Sequence, residues 1–293
     1  MFKGSIPALV TPMRDDGRID FDAWDTLLDF HLREGTDGVV VGGTTGESPV
    51  LDRAELAELV RRARQRVAGR IPLIAGSGTN GTAKSIALSL TAEAAGADAL
   101  LVVTPYYNKP TQEGLFRHFT AIADAVGIPV ILYNVPGRTG CDMLAETVAR
   151  LSHHPRIVGV KEATGDVARG EAVVRQSRPG FLLLSGDDPT AADLIRVGAR
   201  GVISVTANVA ARAMHELCAA GLAGRHDEAR AINERLMPLH KALFVESNPI
   251  PVKWAVSRLG LIGPGIRLPL TPLSESLHAT VEAAMREAGV AFG

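Results

Sequence analysis

Lys161 ends the apolar run IVGVK. An amine at the end of a buried strand is partly desolvated, which disfavours the ammonium and leaves free amine to attack a carbonyl. The chain has 25 arginines but only 6 lysines, so each lysine can be judged singly. Lys253, in NPIPVKWAV, is the rival amine. Following two prolines, it is expected in the first turn of a helix, with its stem over apolar neighbours and its head in water. That is a structural placement. The other four lysines lie in polar or terminal stretches. Lys161 has a plainer alternative as well, a surface ammonium or an ion pair with Glu162.

Other groups could serve a carbonyl reaction. The only three tyrosines, Tyr106, Tyr107 and Tyr133, follow or end two apolar runs. A phenol can donate and accept a proton, and with a threonine hydroxyl it can form a relay. Packing is the commoner role for tyrosine. Arg138, in VPGRTG, carries a fork suited to a carboxylate, though a solvated loop arginine has the same context. Thr44 and Thr45, in GGTTGES, could offer hydroxyls and backbone N–H groups to an anion, or simply belong to a tight turn. GSGTNG at 76–81, with Asp98 beyond it, matches a dinucleotide fingerprint, a weak pattern taken alone. The eight histidines form no HExxH or spaced Cys/His cluster, so no metal is expected.

The elements that must hold these residues repeat along the chain. Eight short apolar runs occur: Ile6–Val10, Gly38–Val41, Ile71–Ala75, Ala99–Val103, Ile128–Tyr133, Ile157–Lys161, Phe181–Ser185 and Gly201–Val205. Helical patterns such as 52–67 and 82–95 separate them, which indicates parallel βα units. Eight units favour a closed (β/α)8 barrel, an α/β TIM barrel over residues 1–224, over an open doubly wound sheet. The residues singled out follow the runs, at the strand ends where barrels carry their sites. The remainder, 225–293, reads as a small C-terminal helical domain. A net charge of −1 argues against a nucleic-acid partner. Two cysteines, Cys141 and Cys218, cannot form a disulfide framework, and no run is long enough for a secretory signal or a membrane helix. A soluble cytoplasmic protein is expected.

Taken together, GSIPALVTPM, GGTTGES, VTPYYNKPTQEGL, ILYNVPGRTGCD, GVKEATGD, LLSGDD, GVISVTANVA and NPIPVKWA resemble the dihydrodipicolinate synthase family, over residues 1 to about 290. The lysine and the GTTGE-type loop are shared by a wider superfamily of pyruvate lyases; the TPYYN pair and the arginine loop point to the synthases. The resemblance implies a homotetrameric lyase of diaminopimelate and lysine biosynthesis, with pyruvate and L-aspartate 4-semialdehyde as substrates and no cofactor. It implies that Lys161 forms the imine and that Tyr133, Thr44 and Tyr107 relay protons, Tyr107 from a neighbouring subunit. Thr45 would hold the pyruvate carboxylate, Ile203 would line the pocket through its backbone, and Arg138 would meet the semialdehyde carboxylate. A lysine effector site would fall on Ser48, Pro49, Arg53, Leu56, Asn80, Lys84 and Tyr106. Lys84 stands where such sites present a glutamate, so inhibition by lysine is expected to be weak or absent. The alternatives are a sibling aldolase for sialic or 2-keto-3-deoxy sugar acids, an NAD-dependent dehydrogenase resting on GSGTNG, and a barrel that only binds.

Overall fold

A computed structural model describes residues 2–292. Eight strands run β1 (Gly4–Pro7), β2 (Val39–Val41), β3 (Leu73–Gly76), β4 (Ala99–Val103), β5 (Val130–Asn134), β6 (Ile157–Glu162), β7 (Leu182–Ser185) and β8 (Gly201–Ser204). All pair in parallel, in the order β1-β8-β7-β6-β5-β4-β3-β2. The ring closes through a parallel bridge between Ala8 and Val40. The first strand begins and ends earlier than the apolar run Ile6–Val10. The side chain of Asn208 takes up Val10 N–H at 3.0 Å and Ala8 C=O at 2.8 Å, which draws the chain out of the ladder.

Among the described residues, twelve α-helices accompany the strands: α1 (Phe21–Arg33), α2 (Arg53–Val67), α3 (Thr82–Ala94), α4 (Gln112–Ala125), the single turn α5 (Pro136–Thr139), α6 (Ala145–Ser152), α7 (Val167–Gln176), α8 (Ala191–Arg196), α9 (Ala211–Leu222), α10 (His226–Ala242), α11 (Ile250–Arg258) and α12 (His278–Glu287). Local signals start several of them. Asp52 and Glu55 form a reciprocal capping box at α2, and Asp20, Thr111 and Asp166 cap α1, α4 and α7.

Alternation along the strands divides the apolar residues into two clusters. Ile6, Val40, Ile74, Leu101, Ile131, Tyr133, Leu184 and Ile203 fill the barrel interior. Val39, Val41, Leu100, Val102, Leu132, Val160, Leu183 and Val202 face the helices. Both faces are covered, so the strands read as continuous apolar runs. Among the described residues no helix is long and apolar enough to cross a membrane.

Candidate functional site

Strands β5 and β6 pair so that Tyr133 lies beside Lys161 and Asn134 beside Glu162. Tyr133 belongs to the inner cluster, so its register partner Lys161 also points into the barrel. Lys161 is 5% exposed, and its Nζ lies 4.2 Å from the Tyr133 ring centroid. The amine thus rests on an aromatic face in a dry setting. Gly186 follows β7 and supplies room: a methyl group there would meet Lys161 Cε at 2.9 Å and Ala163 Cβ at 2.6 Å.

The neighbouring carboxylate points the other way. Glu162 accepts from Asn134 Nδ2 at 3.1 Å and Thr164 N at 2.9 Å, and it faces Arg169 Nε at 3.6 Å. Arg169 also holds Asp142 at 2.9 Å. Burial pushes the Glu162 carboxyl up, while the Asn134, Arg169 and Thr164 contacts pull it down. Glu162 is therefore no partner for Lys161, since adjacent strand residues face opposite sides.

After β2 the chain turns sharply at Gly42, whose φ is +63° and where a Cβ would strike Leu56 Cδ1 at 2.6 Å. Thr44, Tyr106, Arg138 and Thr139 then line a cavity of about 350 Å³ together with Ser48, Pro49, Leu56, Val103 and Val135. Val103 and Val135 also pack on the inner cluster that contains Tyr133. The cavity therefore adjoins the barrel interior where Lys161 sits. Thr45 is buried and accepts at Oγ1 from Asn248 Nδ2 at 3.0 Å, and Arg138 Nη2 donates to the backbone oxygen of Asn248 at 3.3 Å.

The same loop corrects the expectation for Lys253. That residue lies in the first turn of α11, as its prolines require, but its head does not reach water. Lys253 is 3% exposed and its Nζ donates to Glu47 Oε1 at 2.5 Å. The other oxygen of Glu47 accepts from Arg267 N at 3.1 Å. Desolvation lowers the Lys253 pKa, and the charge and hydrogen bond of Glu47 oppose that shift. A buried carboxylate waits where sequence position suggests solvent, and it captures the ammonium. The Arg267 guanidinium in turn binds Glu55 twice, at 2.5 and 2.8 Å, with Val50 O at 2.7 Å and Gly17 O at 2.8 Å.

The remaining expected residues divide. Ile203, buried on β8, pairs with Ile6 inside the barrel. Tyr107 is 89% exposed, adopts a φ of +76° and does not line the cavity. Of the effector positions, Ser48, Pro49, Leu56 and Tyr106 line it. Arg53 donates to Thr91 Oγ1, Asn80 O accepts from Asn108 Nδ2, and Lys84 is exposed in the first turn of α3. Sequence reading missed Gly186, Asn248 and Glu47. Each stands inside a quoted motif, but nothing local marks its partner.

The glycines of GSGTNG have a packing explanation. A Cβ at Gly76 would lie 2.2 Å from Gly42 O, and one at Gly78 would lie 2.3 Å from Val103 N. Asp98 is held by Leu73 N and Arg64 before β4, so it is not free to meet a ribose. Close strand packing accounts for these residues without a nucleotide.

Comparison with known proteins agrees with this geometry. The model of the dihydrodipicolinate synthetase family matches residues 1–288. The 4-hydroxy-tetrahydrodipicolinate synthases of Stutzerimonas stutzeri (strain A1501) and Pseudomonas aeruginosa (strain PAO1) are 60% and 59% identical over 290 residues, 99% of this chain and 99% of each relative. The crystal structure of the chloride-inhibited dihydrodipicolinate synthase of Acinetobacter baumannii, complexed with pyruvate, superposes with a TM-score of 0.98 at 49% identity, covering 99% of this chain and 100% of that one.

Proposed function

Because the chain belongs to the dihydrodipicolinate synthetase family, we propose that its buried Lys161 is the amine through which it condenses pyruvate with L-aspartate 4-semialdehyde to 4-hydroxy-tetrahydrodipicolinate, on the route to diaminopimelate and lysine. One observation carries the assignment: Lys161 is an inward-facing amine, closed off from water, beside Tyr133 and next to a cavity bearing Thr44 and Arg138.

The chemistry follows from an amine in that position. Lys161 adds to the pyruvate ketone and water leaves, giving an imine. Once protonated, the imine withdraws electrons, the methyl group releases a proton, and an enamine results. Its carbon attacks the aldehyde of the second substrate. The amine of that substrate then attacks the imine carbon, expels Lys161 and closes the ring. Each step moves a proton, the work assigned here to Tyr133, Thr44 and Tyr107. Thr45 receives the pyruvate carboxylate, the Ile203 backbone lines the pocket, and Arg138 meets the carboxylate of the semialdehyde. The mechanism calls on no cofactor.

The exposure and left-handed backbone of Tyr107 support its service to a neighbouring subunit in a homotetramer, since a bulky residue is strained at positive φ. In this reading the catalytic barrel is 1–224, residues 225–293 form the helical unit, and the enzyme works in the cytoplasm, consistent with two buried free cysteines. An effector site on Ser48, Arg53, Leu56, Asn80, Lys84 and Tyr106 responds weakly to lysine at best, because Lys84 brings a cation toward the side-chain ammonium of the effector. Borohydride reduction in the presence of pyruvate tests the central assignment. One reduced pyruvate per chain is expected on the Lys161 peptide; label on the Lys253 peptide would overturn it.

A further inference from the structure

The segment between α10 and α12 returns to the catalytic face and holds one loop at three points. Lys253 and Arg267 N take the two oxygens of Glu47, and Asn248 Nδ2 donates to Thr45 Oγ1 at 3.0 Å. The backbone oxygen of Asn248 accepts from Arg138. Asn248 therefore touches both residues to which the reading above assigns a substrate carboxylate. It is 5% exposed, and among the described residues its Oδ1 has no hydrogen-bond partner. An unpaired buried acceptor is destabilising, so stability alone does not account for an amide here.

The direction of the Asn248–Thr45 bond has a chemical consequence. A threonine hydroxyl offers one hydrogen and two lone pairs. With a lone pair engaged by Asn248 Nδ2–H, the hydroxyl hydrogen must point elsewhere. Two residues on, both oxygens of the Glu47 carboxylate are already engaged, and the charge of Lys253 offsets its own. The hydrogen of Thr45 is left for an anion in the site, and the nearby negative charge is cancelled.

We propose that Asn248 is a positioning residue: it fixes Thr45 as a hydrogen-bond donor toward the pyruvate carboxylate and so sets the affinity for pyruvate. The inference rests on the reading of Thr45 given above. Replacing the donor by an acceptor should do more harm than deleting it. In Asn248→Asp the Thr45 hydroxyl would turn to the new carboxylate, leaving lone pairs and a negative charge toward pyruvate. Protonating that carboxylate would restore a donor, so the defect should ease as pH falls.

The experiment combines initial rates over a pyruvate titration, borohydride trapping and melting at fixed protein concentration. Asn248→Ala should raise the KM for pyruvate about tenfold, as loss of one neutral hydrogen bond implies, and Asn248→Asp about 100-fold. The KM for the aldehyde and kcat should change by less than about threefold, the split expected when only ground-state binding of pyruvate is lost. Asn248→Asp, which keeps the size of the amide, reads the same sign should the alanine variant fold poorly. The pyruvate KM of Asn248→Asp should fall between about pH 8 and about pH 6, because burial at this position raises a carboxyl by up to about 3–5 units from its ordinary value near 3.9, while that of Asn248→Ala should not. In a Thr45→Val background, Asn248→Ala should add almost nothing. The positioning role is overturned if the aspartate variant binds pyruvate as well as the alanine variant, if it lacks the pH response, or if the effects of Thr45→Val and Asn248→Ala simply add. Trapping separates the two levels. A wild-type chain that fails to label on Lys161 overturns the reading of the reaction, whereas labelling in wild type and variants at equal pyruvate concentrations overturns the role of Asn248 alone.

Discussion

Removing Lys253 should be among the most damaging single changes outside the site itself. Its ammonium lies 2.5 Å from Glu47, and both side chains are nearly inaccessible, at 3% and 1%. At an effective dielectric of 20 the gross attraction is roughly 7 kcal/mol. Desolvation of the two ions offsets most of it, so the net worth of the pair is small. Breaking the pair is another matter. Lys253→Met leaves the Glu47 carboxylate buried with Arg267 N as its one remaining donor among the described residues, an uncompensated charge that costs about 3–5 kcal/mol. For a chain of this size that corresponds to a fall in Tm of roughly 6–20 °C. Glu47→Gln combined with Lys253→Met removes both charges and should recover most of the loss. The measurement is melting by near-ultraviolet circular dichroism or calorimetry at fixed protein concentration, because assembly shifts Tm. A loss under about 2 °C for the single variant, or a double variant no better than the single, would show that solvent reaches the pair and that the account of its burial is wrong.

Other outcomes follow from the same structure. Gly186→Ala brings a methyl group to 2.9 Å from Lys161 Cε and 2.6 Å from Ala163 Cβ, so kcat/KM should drop on the order of 100-fold with a stability loss of about 1–3 kcal/mol from overpacking; a fully active variant would mean that the lysine stem has room to spare. Arg138→Ala should weaken use of the semialdehyde by about 1.5–3 kcal/mol, the worth of a charged hydrogen bond, while borohydride still traps pyruvate; equal loss of trapping would assign Arg138 to pyruvate. His31 is fully buried and desolvation lowers its pKa to about 3. The unfolded chain therefore binds the extra proton first as pH falls below 6.5, and about 2 kcal/mol of stability should be gone by pH 5. His31→Gln removes that titration and should flatten stability between pH 7 and 5; an unchanged slope in urea unfolding would exclude His31 as the source.

Much of the barrel was legible because burial on both faces leaves a local record. Most strands coincide with a short apolar run, and the turn signals stand at its end; β1, with the sequence GSIP, is the exception. Lys161 was visible for the same reason, as a lone charge closing such a run. Lys253 shows the limit. Its helix position followed from two prolines, but its environment depends on Glu47, 206 residues away. Pattern within a window carries no information on a pairing that only closure of the fold creates. Asn248 and Gly186 escaped for a related reason. One acts through Thr45 across 203 residues and the other by lacking a side chain, and neither property is periodic. Tyr107 lies between the cases: its exposure is plain in one chain, and the role proposed for it calls on a second chain.

Strand β6 closes on two opposite charges in succession, Lys161 and Glu162. In solution such neighbours would quench one another. Here the pleat keeps the two side chains out of contact. Among the described residues the lysine has no counter-ion within salt-bridge distance, and the glutamate is absorbed by a separate circuit with Asn134, Arg169 and Asp142. The backbone is thereby braced by strong charges that make no contact with the lysine on the inner side. A change in the outer circuit alters how rigidly the strand end is held without removing the amine proposed to react on the inner side.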